Sequence, residues 1–304
     1  MNAHLNGYFA AALAVLIWAA YPVATRAAVT GAFTAQELIV LRFGIAALLF
    51  LPYLALHWRS IGRAAWLRGV PLTLFQGAGM GALVICGLQF APATHQAALG
   101  PGVSPAWVAL LGLVLLARRP SARVVIGGAL CATGVLALAG WSAAAPSATV
   151  LLGDAMFLGA SALGALYVLQ LRNWGVGVIQ GAAIVSLYSA LVVVPWYLCS
   201  DGLPLSRVAP AELAWQVLWQ GVLIGCISLI ALNQAIARLG CERASGCVAL
   251  VPVLTAILAL VFLGEVPSPL EVAAFVVISA GVSIAALPGR PVFRPAARQL
   301  PARS

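Results

Sequence analysis

Ala97-Ala98-Leu99-Gly100-Pro101-Gly102-Val103-Ser104-Pro105 stands inside an apolar run from about Gln96 to Ala117. A helix of about 20 apolar residues crosses a bilayer, so the run is long enough to span one. Two prolines four residues apart interrupt it. Each lacks the N–H its turn needs, so the carbonyls of Ala97 and Pro101 are expected to lose their helical partners. A bare carbonyl facing lipid costs several kcal/mol, so a broken helix survives only against protein or beside a watery cavity. One reading is a kinked packing helix, since proline is commoner in membrane helices than in soluble ones. The other is a cavity wall, because discontinuous helices in corresponding halves of a chain mark binding sites of membrane carriers. A second copy favours the wall: Ala244-Ser245-Gly246-Cys247-Val248-Ala249-Leu250-Val251-Pro252 takes the matching place 147 positions later. Gly100, Pro101, Gly102, Pro105 and Pro252 are therefore the candidate helix-break and gating positions.

Composition fixes the class. Of 304 residues, 63% are hydrophobic and 8% charged, with mean hydropathy +1.06, whereas a soluble domain carries about 25% charged residues. The net charge is +9, and all 16 basic residues are arginines. They lie between apolar runs and in the tail rather than in a stripe interleaved with aromatics, which argues against nucleic-acid binding. The six cysteines form no CxxC and sit mostly inside apolar runs, which indicates neither a metal site nor a disulfide framework. The residues before Gly7 carry no Lys or Arg, so no cleavable leader is expected.

Apolar runs bounded by charges or turn residues predict ten spans, at 7–25, 36–56, 69–90, 95–117, 123–141, 150–171, 179–199, 213–237, 244–263 and 269–287. The expected fold is all-α and integral to the membrane. Only the loop from Ser200 to Glu212 and the tail after Pro288 are longer than a few residues. With the N-terminus inside, thirteen arginines fall in inner segments and only Arg26 and Arg207 in outer ones. That positive-inside bias puts both termini in the cytoplasm.

Pro105 pairs with Pro252, Pro120-Ser121 with Pro267-Ser268, and Gly134 with Gly281 at one offset of 147. Gly7 with Gly153, Tyr21 with Tyr167 and Arg26 with Arg172 follow at 146. Five spans per half make the second copy enter from the opposite side, an inverted-topology pair around a central cavity. The expected division is a first repeat at 1–146, a second at 147–288, and a cytoplasmic arginine-rich tail at 289–304.

Leu41-Arg42-Phe43 leading to Leu51-Pro52 resembles the second helix of EamA-type proteins of the drug/metabolite transporter superfamily. So do Ala235-Ile236-Ala237-Arg238-Leu239-Gly240, Ala244-Ser245, Leu250-Val251-Pro252 and Leu263-Gly264-Glu265. The resemblance covers nearly the whole chain in two copies. The first copy departs from the pattern where Ala117-Arg118-Arg119 replaces Gly-Glu-Arg. It implies a ten-helix exporter of small metabolites, most like the YddG-type amino-acid exporters, and no enzyme.

Polar and aromatic side chains inside spans are the candidate substrate contacts: Gln76, Gln96, Tyr167 and Asn233, with Trp18, Tyr21 and Trp107 able to stack on a ring. Such polar groups face the bundle interior, where interhelical hydrogen bonding, worth about 0.6 kcal/mol on average, is the alternative. The aromatics can equally join the interfacial belt. Arg42 lies six residues past the start of its span, shallow enough to snorkel outward, and a structural pairing with a nearby carboxylate is expected for it. His95, at the mouth of the fourth span, reads as an ordinary loop histidine.

None of the seven carboxylates falls near the middle of a span, which disfavours a central proton relay and points to facilitated transport. His95 and Asp154 keep proton coupling open. Without lysine or a midplane arginine, no fixed cation is expected for a phosphate. A lipid-acting enzyme would need clustered His, Asp or Glu, and His4, His57 and His95 do not cluster in sequence. The favoured reading is export of neutral or zwitterionic metabolites, amino acids first, by a monomer or weak homodimer in lipid. It needs no cofactor or metal. Export of another metabolite or drug with proton coupling, or a non-transporting partner subunit, are the alternatives.

Overall fold

A computed structural model describes residues 2–116, 120–141, 147–200, 207–239 and 247–287. Within them the regular structure is helical: α1 (Asn2–Val29), α2 (Ala35–His57), α3 (Arg63–Gln76), α4 (Ala78–Phe90), α5 (Ala93–Leu99), α6 (Ser104–Leu116) and α7 (Ala122–Trp141). The second half continues with α8 (Ala148–Asn173), α9 (Val178–Cys199), α10 (Pro210–Gln216), a π-helical segment (Val217–Ile227), α11 (Ser228–Leu239), α12 (Val251–Leu263) and α13 (Pro269–Ala286). Seven helical stretches are long and apolar enough to cross a membrane, and three shorter apolar helices accompany them. Large side chains face outward, among them Leu56 at 81%, Phe9 and Phe262 at 73% and Leu136 at 71% exposure. An apolar surface of that extent belongs against lipid. The tail at 289–304 and residues 201–206 of the 200–212 loop lie outside the described residues.

Sequence chemistry sets the helix starts. Thr34 and Glu37 form a capping box at α2, and Ser268 and Glu271 form another at α13, so the first free N–H groups of both helices are met locally. The principal core joins α1, α2, α4, α8 and α13 through buried Leu38, Ile85, Leu88, Phe157 and Ile278.

Two of the predicted spans are broken, one of them as expected. The proline-rich stretch does interrupt its helix, between Leu99 and Ser104. The Pro101 carbonyl, expected to be orphaned, instead accepts the Ser104 N–H at 3.3 Å in a tight turn. The Gly100 carbonyl accepts the Ser161 hydroxyl of α8 at 2.5 Å. The second break, at Gly77, separates α3 from α4 inside the stretch predicted as one span at 69–90. There the Ser189 hydroxyl of α9 accepts the Ala78 N–H at 3.0 Å. A side chain at Gly77 would meet Ser189 Oγ at 2.2 Å, so only glycine lets α9 approach. Pro105 and Pro252 occupy the first turns of α6 and α12. A missing N–H is no loss in a first turn. Pro252 thus opens a helix rather than interrupting one; residues 240–246 before it lie outside the description.

α7 and α13 pack antiparallel and reciprocally. Gly127 faces the Gly281 carbonyl, Gly134 faces the Ala274 carbonyl and Ile278, and the Cys131 thiol donates to the Ile278 carbonyl at 3.7 Å. Positions 127, 131 and 134 are the sequence equivalents of 274, 278 and 281 at the offset of 147. The pair therefore touches as a two-fold-related pair would, residue i on j and j on i.

Candidate functional site

The interruptions converge on one cavity of about 420 Å³, within the 300–1,000 Å³ typical of small-ligand sites. From the first half, Trp18 and Tyr21 of α1, Arg42 and Phe43 of α2, and Gln76 and Met80 flanking the Gly77 break line it. Gln96, Gly100 and Pro101 bring the proline break to the same wall. The second half contributes Ser161, Gly164 and Tyr167 of α8, Val185 and Ser186 of α9, and Ile224, Gly225 and Ser228 where the π-helical segment meets α11. The π winding seats Gly221 and Gly225 against Ile45 and Ala46 of α2. Three departures from α-helical backbone bordering one cavity is the arrangement that keeps irregular backbone away from lipid.

Of the expected contacts, Trp18, Tyr21, Gln76, Gln96 and Tyr167 all line the cavity, as do Gly100 and Pro101. Trp107 does not; it packs against the principal core beside Leu99 and Val103. Gly102 serves packing, for a side chain there would meet Ile278 at 2.5 Å and the Ala98 carbonyl at 2.2 Å. Pro105 and Pro252 are also off the wall. The Asn233 side chain lies outside the described residues.

Arg42 corrects the sequence reading. It does not snorkel outward to a carboxylate; its guanidinium donates to the Tyr21 hydroxyl and faces the cavity. Its carbon lies 5.1 Å from the Tyr21 ring centre and 5.5 Å from that of Phe43, inside cation–π range. The cavity therefore has the fixed cation that the absence of a midplane arginine appeared to deny. An arginine inside an apolar run was the available signal; that Tyr21 of another helix would hold it was not in the local sequence.

One end of the bundle is tied by ion pairs. Arg26 pairs with Glu265 and donates to the carbonyls of Leu88 and Ala91 at 2.7 and 2.6 Å. Glu265 also accepts the Ala93 N–H at 3.1 Å. His95, 3% exposed and far from an ordinary loop histidine, sits between Asp154 at 2.9 Å and Glu271 at 3.1 Å. Arg207 bridges Glu37 at 2.9 Å and the Ala32 carbonyl at 2.8 Å. These contacts link α1, α2, α5, α8 and the start of α13. The cavity lies beyond them: Ala160, its first lining residue on α8, is about 9 Å along the helix from Asp154 at 1.5 Å per residue. Val168 and Ala182 bring it within about 6–8 Å of the opposite ends of α8 and α9 on the same measure. On α8 the cavity is displaced away from the ion-paired end, and on α5 it reaches Gln96, the neighbour of His95.

Among the described residues no group of His, Cys, Asp and Glu is arranged to hold a metal ion. The sequence model of the EamA-like transporter family matches residues 5–140 and again 151–287. A crystal structure of a protein 20% identical superposes with a TM-score of 0.58, over 93% of this chain and 96% of that one. At that identity the likeness concerns the fold. No curated protein matches the chain.

Proposed function

We propose, from the premise that the chain belongs to the EamA-like transporter family, that it carries small neutral or zwitterionic metabolites through the central cavity by alternating access. Amino acids are the first candidates, moved outward across a bacterial inner membrane. The family makes it a multi-pass membrane transporter with a small-molecule substrate. The observation that carries the rest is the convergence of three backbone interruptions on one cavity. In this reading ten spans form two inverted repeats, 1–146 and 147–288, and the reciprocal α7–α13 contact is their axis. The ion-paired end is the outer one, in accord with the distribution of arginines, and both termini are cytoplasmic. The cavity then opens inward, ready to load solute for export. Trp18, Tyr21, Gln76, Gln96 and Tyr167 are the proposed substrate contacts.

With no carboxylate among the described residues of the cavity wall, transport is proposed to be facilitative. The buried His95–Asp154–Glu271 group supports a second reading, in which a proton is carried at the outer end. Flux of labelled neutral amino acids in proteoliposomes, with and without a pH gradient, tests both. Gradient-independent flux supports the first, strict dependence on the gradient the second. Flux of no small solute under either condition removes the transport reading.

A further inference from the structure

We infer that the cavity selects solutes bearing a carboxylate, which docks on Arg42 beside the Tyr21 hydroxyl, and rejects solutes that carry only a positive charge. The inference rests on the proposal that this cavity is the transport site. Arg42 is the one charged residue among the described residues lining it. Among the described residues none of the four ion pairs includes it. The nearest acid on its own helix, Glu37, is 1% exposed and already bound to Arg207 and to the N-terminal cap of α2. Tyr21 occupies Nη1 only. A guanidinium has five donors in a planar fork that matches a carboxylate with two parallel bonds. A half-buried cation with a neutral phenol as its polar partner is therefore under-compensated until an anion arrives.

The surroundings make the docking point stiff and the selection one of charge. Tyr21 and Phe43 flank the guanidinium, which limits the rotamers it can take. The remaining polar groups of the described wall, chiefly Gln76, Gln96, Tyr167 and the serines Ser104, Ser161, Ser186 and Ser228, are neutral. They can hydrogen-bond an ammonium or a hydroxyl, but none offsets a second positive charge brought within reach of Arg42. Trp18, Met80, Ile224 and Leu229 leave an apolar region for the body of the solute. A zwitterionic amino acid fits with its carboxylate on Arg42, and so does a simple monocarboxylate.

The test uses the full-length protein and two solute series, one with a phenylethyl and one with an isobutyl body. Each series holds the carboxylic acid, the amino acid, the amino-acid amide and the amine. Binding to purified protein is read by thermal shift and transport by counterflow in proteoliposomes. Wild type is expected to bind and move the acid and the amino acid and to discriminate against the amide and amine. Arg42→Gln is expected to weaken the carboxylate members by about 10- to 100-fold, the range for one lost charge-assisted bond, with little effect on the others. Arg42→Glu is expected to shift preference toward the amines. Tyr21→Phe, which keeps ring and charge, is expected to give a smaller loss and serves if the Arg42 variants do not fold. Equal treatment of acids and amines by wild type, or a uniform loss across the series in Arg42→Gln, overturns the inference, as does failure of every carboxylate member to bind at millimolar concentration. Carboxylate-selective binding without flux overturns the transport reading and leaves this one standing. Flux blind to the carboxylate does the reverse.

Discussion

Ser161 and Tyr167 sit two turns apart along α8 and illustrate two kinds of dependence on the cavity wall. The Ser161 hydroxyl donates to the Gly100 carbonyl, a group that the proline at 101 leaves outside any regular helix. Ser161→Ala removes that donor without adding bulk, and losing one part-buried hydrogen bond costs about 0.5–1.5 kcal/mol. Lower thermal stability in detergent by that amount is expected; an unchanged melting temperature would mean that another donor serves the carbonyl. Tyr167 lines the cavity together with Gln76. If both touch solute, Tyr167→Ala and Gln76→Ala each lower kcat/KM for counterflow by about tenfold or more, the effect of about 1.4 kcal/mol of lost contact, in protein that still folds. Normal transport in both variants would move the site elsewhere. Gln76 and Tyr167 were legible because a polar group in an apolar run has few places to point. Arg42 and His95 were seen and misread, because their partners are remote: Tyr21 is 21 positions away, Asp154 59 and Glu271 176.

Helices broken by proline announce themselves, and those broken by a neighbour do not. Pro101 removes a donor from its own turn, so the α5–α6 interruption follows from local chemistry. Gly77 is one of many glycines in apolar sequence. What makes it a break is the Ser189 hydroxyl taking the Ala78 N–H across 111 positions. The π winding of Val217–Ile227 is likewise silent in sequence; it accompanies the seating of Gly221 on Ile45. The α7–α13 pair is an intermediate case, where equal spacing of Gly134 and Gly281 gave the repeat but not their mutual contact. Here glycine permits backbones to touch, as small residues do between membrane helices. A methyl group at Gly127 would lie 2.4 Å from the Gly281 carbonyl oxygen, and one at Gly281 would lie 2.6 Å from that of Gly127. Backbone cannot swing aside as a flexible side chain can, so Gly127→Ala or Gly281→Ala is expected to destabilise by about 1–3 kcal/mol. Gly159→Ala is the control: its new methyl group meets only Leu83 at an ordinary 3.5 Å, and stability should hold or rise slightly through helix propensity. Equal tolerance of all three substitutions in a thermal assay would show that α7 and α13 do not carry that contact.

At the scale of the whole molecule, the Arg26–Glu265, His95–Asp154, His95–Glu271 and Arg207–Glu37 pairs lie at one end, and each ties elements far apart in sequence. Arg26 and Arg207, the two arginines outside the positive-inside pattern, are both spent there. A carrier that alternates must separate such a layer on one side when it opens there, so the layer sets the relative population of its two states. Glu265 holds both the Arg26 guanidinium and the Ala93 N–H at the head of the broken helix. Glu265→Gln keeps the shape and removes the charge. Taking one partner from a partly buried pair leaves the other uncompensated, at a cost of up to about 3–5 kcal/mol in fully buried cases. Both groups here retain about a fifth of their side-chain exposure, so a shift of about 1–2 kcal/mol toward the state open at this end is the scaled expectation. That is about a five- to thirtyfold change in the ratio of the two states. Trp18→Cys, placed on the cavity wall in a background with the native cysteines replaced, reports it through a membrane-impermeant thiol reagent added from the ion-paired side. Its labelling should be slow with Glu265 intact and several-fold faster in Glu265→Gln, while bound solute should slow both. Labelling that is equally slow with and without Glu265 would show that the layer fastens the fold and does not gate the cavity; equally fast labelling would show that this end is open in the membrane.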